Sequence, residues 1–214
     1  MKQSIIYIAI VVLLMYFIYD LYSHKEGLTE KLSNIVLLGD SVFKNNSYVP
    51  SNKSIEYLLK ENVTIPSLVL AEDGAIIYDL MNQYNTMPKE LNTPTTRLYI
   101  SVGGNDLLAV YENISTNTMD PLNSVWNLYS DTIQTLIKST QCTIVLTDIY
   151  FVTDPDYNKY TPIVEQWNAN LYEFAATYKL AVFKISDLLT KPSDFTNSIE
   201  PSASGSVKIV NSFT

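Results

Sequence analysis

From residue 34 onward, short apolar runs alternate with longer amphipathic stretches. Ile35 to Leu38, Leu98 to Val102 and Ile144 to Leu146 are too short for helices and too continuous for strands wetted on one face, so they read as strands buried on both sides. The pattern predicts strands near 34–39, 65–70, 97–102, 142–148 and 181–185. Between them the spacing changes to the helical period. Ile163, Trp167, Leu171, Phe174 and Tyr178 fall on one face of a helix over 162–178, with Thr161 as N-cap and Pro162 in the first turn. Val125, Leu128, Tyr129, Ile133, Leu136 and Ile137 make a similar stripe over 121–138, and Val207, Ile209, Val210 and Phe213 mark a closing helix. Strands alternating with helices predict the α/β class: a three-layer αβα sandwich around a five-stranded parallel sheet of flavodoxin-like type.

Ahead of this domain, Ile5 to Tyr19 is unbroken apolar sequence, extended by Ser4 and by Leu21-Tyr22 across Asp20. About 19 residues at about 1.5 Å each reach nearly 30 Å, the thickness of a bilayer core, and Tyr16, Tyr19 and Tyr22 stand where an interfacial aromatic belt would lie. No small-x-small cleavage site follows, so an uncleaved single-pass anchor is expected rather than a signal peptide. The chain therefore divides into an anchor (1–22), a polar tether (23–33) and a globular domain (34–214). Lys2 and the terminal amine oppose Lys25 and Lys31, which leaves the orientation open. Sequons beginning at Asn45, Asn52, Asn62 and Asn113 do not decide it, since roughly three would arise by chance in so Asn-, Ser- and Thr-rich a chain.

Candidate chemistry sits where the apolar runs end. The first empties into Gly39-Asp40-Ser41, which puts a hydroxyl nucleophile at a strand-to-loop junction. Another empties into Gly103-Gly104-Asn105-Asp106, which supplies an amide donor. A third loop, Asn197-Ser198-Ile199-Glu200-Pro201, precedes the closing helix. In open α/β sheets ligands bind beyond the carboxyl ends of the strands, so these junctions share an address.

The order of these blocks resembles the SGNH (GDSL-type) hydrolase family over roughly residues 34 to 213. The resemblance implies a serine ester hydrolase in which Ser41 is the nucleophile. It implies an oxyanion hole formed by the Ser41 N–H, Gly74 of Ala71-Glu72-Asp73-Gly74, and the Asn105 amide. The last block departs from the family pattern Asp-x-x-His-Pro: Asn197 stands at the acid position and Glu200 at the base position. His24, the only histidine, lies before the domain and reads as a linker residue. Losing the imidazole from a Ser-His-Asp triad typically leaves about 10³- to 10⁴-fold acceleration over water. Two readings of Glu200 follow. It takes the Ser41 proton, with Asn197 or a backbone amide orienting its second oxygen, or it caps the closing helix with Pro201 at the first helical position. Two functions follow in turn: a membrane-anchored ester hydrolase with a non-standard base, or a binding module on the same scaffold that recognises a glycan or acyl ligand without turnover.

Composition narrows the partners. The 214 residues carry a formal charge of −8 with no Lys/Arg cluster, which disfavours nucleic acid; the family resemblance implies a small-molecule, lipid or glycan ester as substrate. A single cysteine, Cys142, gives neither a disulfide nor a Cys/His zinc set and reads as a buried small hydrophobe. No cofactor or metal is expected. Asp154 and Asp156 flank a proline in a turn and read as solvated, and the segment from Tyr150 to Tyr160 is expected to rim the pocket. The 16 tyrosines read mainly as packing residues.

Overall fold

Ile35, Val36, Leu37 and Leu38 have no solvent exposure at all, which requires a strand covered on both faces and flanked on both edges. The computed structural model, which describes residues 31–111 and 120–213, places them in β1 (Asn34–Gly39) at the heart of a parallel sheet. β2 (Ser67–Val69) pairs on one side and β3 (Thr96–Ser101) on the other, followed outward by β4 (Thr143–Thr147) and β5 (Ala181–Phe183). The order is β2-β1-β3-β4-β5, every pairing parallel. The expected five-stranded α/β sheet is present, with the outermost strands shorter than expected. β2 starts only after Pro66, which lacks an N–H to give to a ladder. β5 ends before Ile185, which is already the first residue of a short helix.

Alternate residues of the central strands feed two separate cores. Val36, Leu38, Leu98, Ile100, Ile144 and Leu146 pack with α2 (Leu80–Thr86), α4 (Asp120–Ser139) and α5 (Thr161–Tyr178). Ile35, Leu37, Tyr99 and Val145 face the opposite core, shared with α1 (Ile55–Asn62), α6 (Ile185–Leu188) and α7 (Ala203–Asn211). The helix α3 (Gly104–Tyr111) follows β3 directly. Parallel strands need crossover connections, and here those crossovers cover both faces of the sheet.

The helical stripes read from sequence hold at their centres and fail at their ends. Val125, Tyr129, Ile133 and Leu136 of α4 are buried, as are Trp167, Leu171 and Phe174 of α5. Tyr178 is 40% exposed because the chain reverses at Lys179, in the left-handed region at φ 56°. Val207 is 38% exposed, while Ile209, Val210 and Phe213 are buried. Thr161 does not cap α5. A 3-10 turn over Pro155–Tyr160, capped by Asp154, runs straight into the helix and makes Thr161 its first residue. Cys142 is buried in the core with its Sγ 3.4 Å from the Leu91 carbonyl, as expected of a small hydrophobe.

Asn45, one of the sequon residues, is completely buried. Its amide donates to the Pro201 carbonyl and Ser206 Oγ and accepts from the Ile55 N–H, so it is a structural crosslink and no glycan acceptor in the folded domain. The proposed anchor at 1–22 and the sequon at Asn113 lie outside the described residues. Among those described, no helix is long and apolar enough to cross a membrane.

Two glycines have different jobs. Gly39 sits at φ 131° against β3, and a Cβ there would lie 1.9 Å from the Ser101 carbonyl oxygen. Gly74 sits at φ 77° with no heavy atom within 4 Å of an added Cβ. Gly39→Ala is expected to abolish folding or to cost well over about 3 kcal/mol. Gly74→Ala is expected to cost only about 1–2 kcal/mol from backbone strain. Thermal and denaturant unfolding of the two variants checks the contrast.

Candidate active site

β1 and β3 are adjacent strands whose connections leave toward opposite faces, so a crevice opens between their carboxyl ends. Gly39-Asp40-Ser41 leaves β1 on one side of it and Gly103-Gly104-Asn105 leaves β3 on the other. The Asp40 N–H donates to the Ser101 carbonyl at 2.9 Å, which holds the two loops together. On the far side of β1, the chain after β2 still gives the Glu72 N–H to the Gly39 carbonyl at 2.9 Å, and the buried Gln83 adds a side-chain clamp. Its Oε1 accepts the Gly39 N–H at 2.7 Å and its Nε2 donates to the Gly39 carbonyl at 2.8 Å. The turn that carries Ser41 is thus fixed on both edges.

Ser41 is buried and lines a cleft together with Asn105 and Glu200. Its Oγ donates to Glu200 Oε1 at 3.2 Å across 159 residues of sequence. Glu200 is held there by β7 (Glu200–Pro201), which pairs antiparallel with β6 (Phe195–Thr196). The carboxylate therefore does not cap the closing helix. Ser202 does so, its Oγ accepting the N–H groups of Ser204 and Gly205 at 3.1 and 3.2 Å.

The remaining site residues differ in how far they converge. Asn105 faces the cleft, and one of its amide hydrogens goes to the Ala75 carbonyl at 2.9 Å. That bond fixes which end of the amide is the nitrogen and leaves its second N–H for a ligand. Gly74 lies in the turn that this bond ties down, one residue from Ala75, and is not part of the cleft wall. The backbone N–H groups of Ser41 and Gly74 have no acceptor among the described residues. Asn197 fails to reach. It is exposed, in the left-handed region at φ 45°, and makes no bond to Glu200. Glu200 Oε2 is buried with no hydrogen-bond partner among the described residues. A tight three-residue turn, closed by the Ile199 N–H on the Asn197 carbonyl at 2.9 Å with Asn197 and Ser198 both left-handed, separates the exposed Asn197 from the buried Glu200.

Three acids crowd this end of the sheet. Burial raises the Glu200 carboxyl above its ordinary range, opposed by the Ser41 hydrogen bond and reinforced by the charge on Asp73. Asp40 is pushed up to about 7, chiefly by burial. The Ser101 hydroxyl and the Val42 N–H pull it down, and the Glu200 charge adds to the rise. Tyr48 donates to Asp73 at 2.8 Å, and that bond, with burial and the Glu200 charge, lifts its hydroxyl to about 12. Sequence reasoning missed the part played by Asp40, although its place beside the nucleophile at the end of a fully apolar strand was the signal available. Asp154 and Asp156 do not line the cleft; a hydrogen bond from Ser198 and the N–H of Asp156 hold the Asp154 carboxyl below its ordinary range.

Solved structures share this architecture. A lipolytic protein of the G-D-S-L family from Veillonella parvula superposes with a TM-score of 0.64 at 19% identity, covering 83% of this chain and 94% of that one. An acetyl xylan esterase superposes with a TM-score of 0.64 at 14% identity over 84% and 97% of the two chains. A phospholipase A1 from Streptomyces albidoflavus gives 0.54 at 16% identity over 85% and 99%. No protein-family profile matches the sequence, and a search of curated proteins gives no match. The likeness defines the fold as the one used by GDSL-type lipases and esterases.

A buried acid with a raised pKa makes stability fall with rising pH. The folded state holds the Asp40 proton up to about pH 7, whereas the unfolded chain releases it near 3.8. The associated stabilisation is present below pH 4 and is lost as pH climbs to about 7, a change of roughly 4 kcal/mol. Denaturant unfolding between pH 4 and 8 is expected to show this decline, and Asp40→Asn is expected to flatten it.

Proposed function

We propose that the domain is a serine ester hydrolase in which Glu200 replaces histidine as the base. The observation that carries this reading is the direct hydrogen bond from Ser41 Oγ to Glu200 Oε1, in a cleft that also holds the Asn105 amide. As Ser41 Oγ attacks the ester carbonyl carbon, its proton passes to Glu200. The carbonyl oxygen becomes an oxyanion beside the Asn105 amide, with the unpaired Ser41 N–H as a further donor, while Gly74 belongs to the turn that the Asn105 bond to Ala75 ties down. When the tetrahedral intermediate collapses, the bond to the leaving alcohol breaks and Glu200 returns the proton to that alcohol. A water then gives a proton to Glu200 and attacks the acyl-serine, releasing the acid and restoring the Ser41 hydroxyl.

A carboxylate at its ordinary pKa is a weak base for a serine, and a raised pKa improves the match. Glu200 works only when ionised, so kcat/KM is expected to rise with pH through a pKa above the ordinary carboxylate value. Ser41→Ala should abolish turnover of p-nitrophenyl esters. Glu200→Gln should lower kcat by about 10³-fold or more with little change in KM. Normal turnover in Ser41→Ala, or full activity in Glu200→Gln, would overturn the proposal.

Residues 4–22 anchor the enzyme in a membrane in this reading, supported by the unbroken apolar run from Ile5 to Tyr19. The full chain is expected in the membrane fraction after alkaline carbonate extraction, and a chain starting at residue 31 in the soluble one. Release of the full chain by carbonate would remove the anchor.

A further inference from the structure

The cleft that begins at Ser41 continues well beyond the reacting atoms, and its extension is apolar. Leu107 and Leu108 of α3, Ile149 and Val152 of the loop after β4, and Ile163 and Val164 of α5 form its walls. Leu107 is buried, but the other five are only half-buried. Scattered half-buried aliphatics are ordinary on a protein surface. A continuous set around one concavity, joined to a nucleophile, is a place prepared for apolar ligand.

Charge in the same cleft is of one sign. The ionisable acids and bases that line it are Asp40, Asp148 and Glu200, with no Lys, Arg or His among the lining residues. Asp148 is already satisfied, accepting from the Ser186 N–H and hydroxyl and from the Tyr172 hydroxyl. Lys159, the nearest base in sequence to the cleft-lining Tyr160, sits over the rings of Tyr111 and Tyr160 at 5.7 and 5.1 Å from their centroids. An anionic ligand would therefore meet carboxylates and no cation among the lining residues, the Lys159 charge being spent on the tyrosine rings, in surroundings that screen poorly.

We propose that this cleft is an acyl-chain site that selects neutral esters of aliphatic acids longer than acetate and rejects acyl groups ending in a carboxylate. The proposal rests on the hydrolase reading for the role of the ester but not for the binding of the chain. The same charge arrangement favours product release, because hydrolysis turns a neutral acyl group into a carboxylate that the cleft disfavours.

Binding to Ser41→Ala separates chain recognition from chemistry. Calorimetric titration with hexanamide, acetamide and hexanoate at pH 8 is expected to give hexanamide at least tenfold tighter than either of the others. Leu108→Asp, or Val164→Asp if the first fails to fold, should remove that preference while leaving the unfolding temperature close to that of the parent. In the wild-type enzyme, p-nitrophenyl hexanoate should exceed p-nitrophenyl acetate in kcat/KM by at least tenfold. Equal binding of hexanamide and acetamide, tight binding of hexanoate, or a preference that survives both wall variants would overturn the chain site. Selective hexanamide binding with no turnover of any ester would support the chain site and refute the hydrolase reading instead.

Discussion

The hydrogen bond between Ser41 and Glu200 joins two segments 159 residues apart, and most of the domain is arranged so that it can form. Ser41 is positioned by the end of β1, whose Gly39 is clamped by Gln83 on one edge and packed against Ser101 on the other. Glu200 is positioned by a two-residue strand pair and by the helix that Ser202 caps immediately afterwards. Asn45 ties these two halves together, bonding from the loop after Ser41 to Pro201 and Ser206. Each of these restraints bears on a contact that catalysis needs within a fraction of an ångström.

Electrostatics sets the character of that contact. A histidine base pairs a neutral imidazole with a nearby acid, so that the charge created by proton transfer is matched. Here the base is itself an acid, one of its oxygens has no partner among the described residues, and Asp40 lies close enough for each charge to disfavour the other. Burial and crowding thus supply the basicity that imidazole would have brought. They also make the ionised site costly to the fold, a conflict common where function demands groups that stability does not favour.

Much of the architecture was legible because it depends on local pattern. Apolar runs such as Ile35 to Leu38 can only be buried strands, and the helical stripes ending at Leu136 and Phe174 can only face a core. Boundaries were less legible where tertiary context decides them, as at Thr161, which a preceding 3-10 turn absorbs into the helix. In the site, Ser41 and Asn105 were marked by the glycine-rich junctions they occupy. Glu200 was marked by its place in the third loop. The failure of Asn197 depends on two consecutive left-handed residues, 197 and 198, and no residue pattern in Asn-Ser announces that turn. The Gln83 clamp was equally hidden, since it joins residues 44 apart that meet only in the folded domain.

The account stands on Glu200 acting as the base for Ser41, and the rate of covalent modification by a fluorophosphonate reports on that step without needing the natural substrate. Measured from pH 4 to 9, the labelling rate of the wild-type chain should rise with ionisation of a carboxyl whose pKa lies above the ordinary range. In Glu200→Gln the rate should be low and independent of pH over that range. A wild-type chain that does not label at Ser41, or a Glu200→Gln variant that labels as fast and with the same pH dependence, would contradict it.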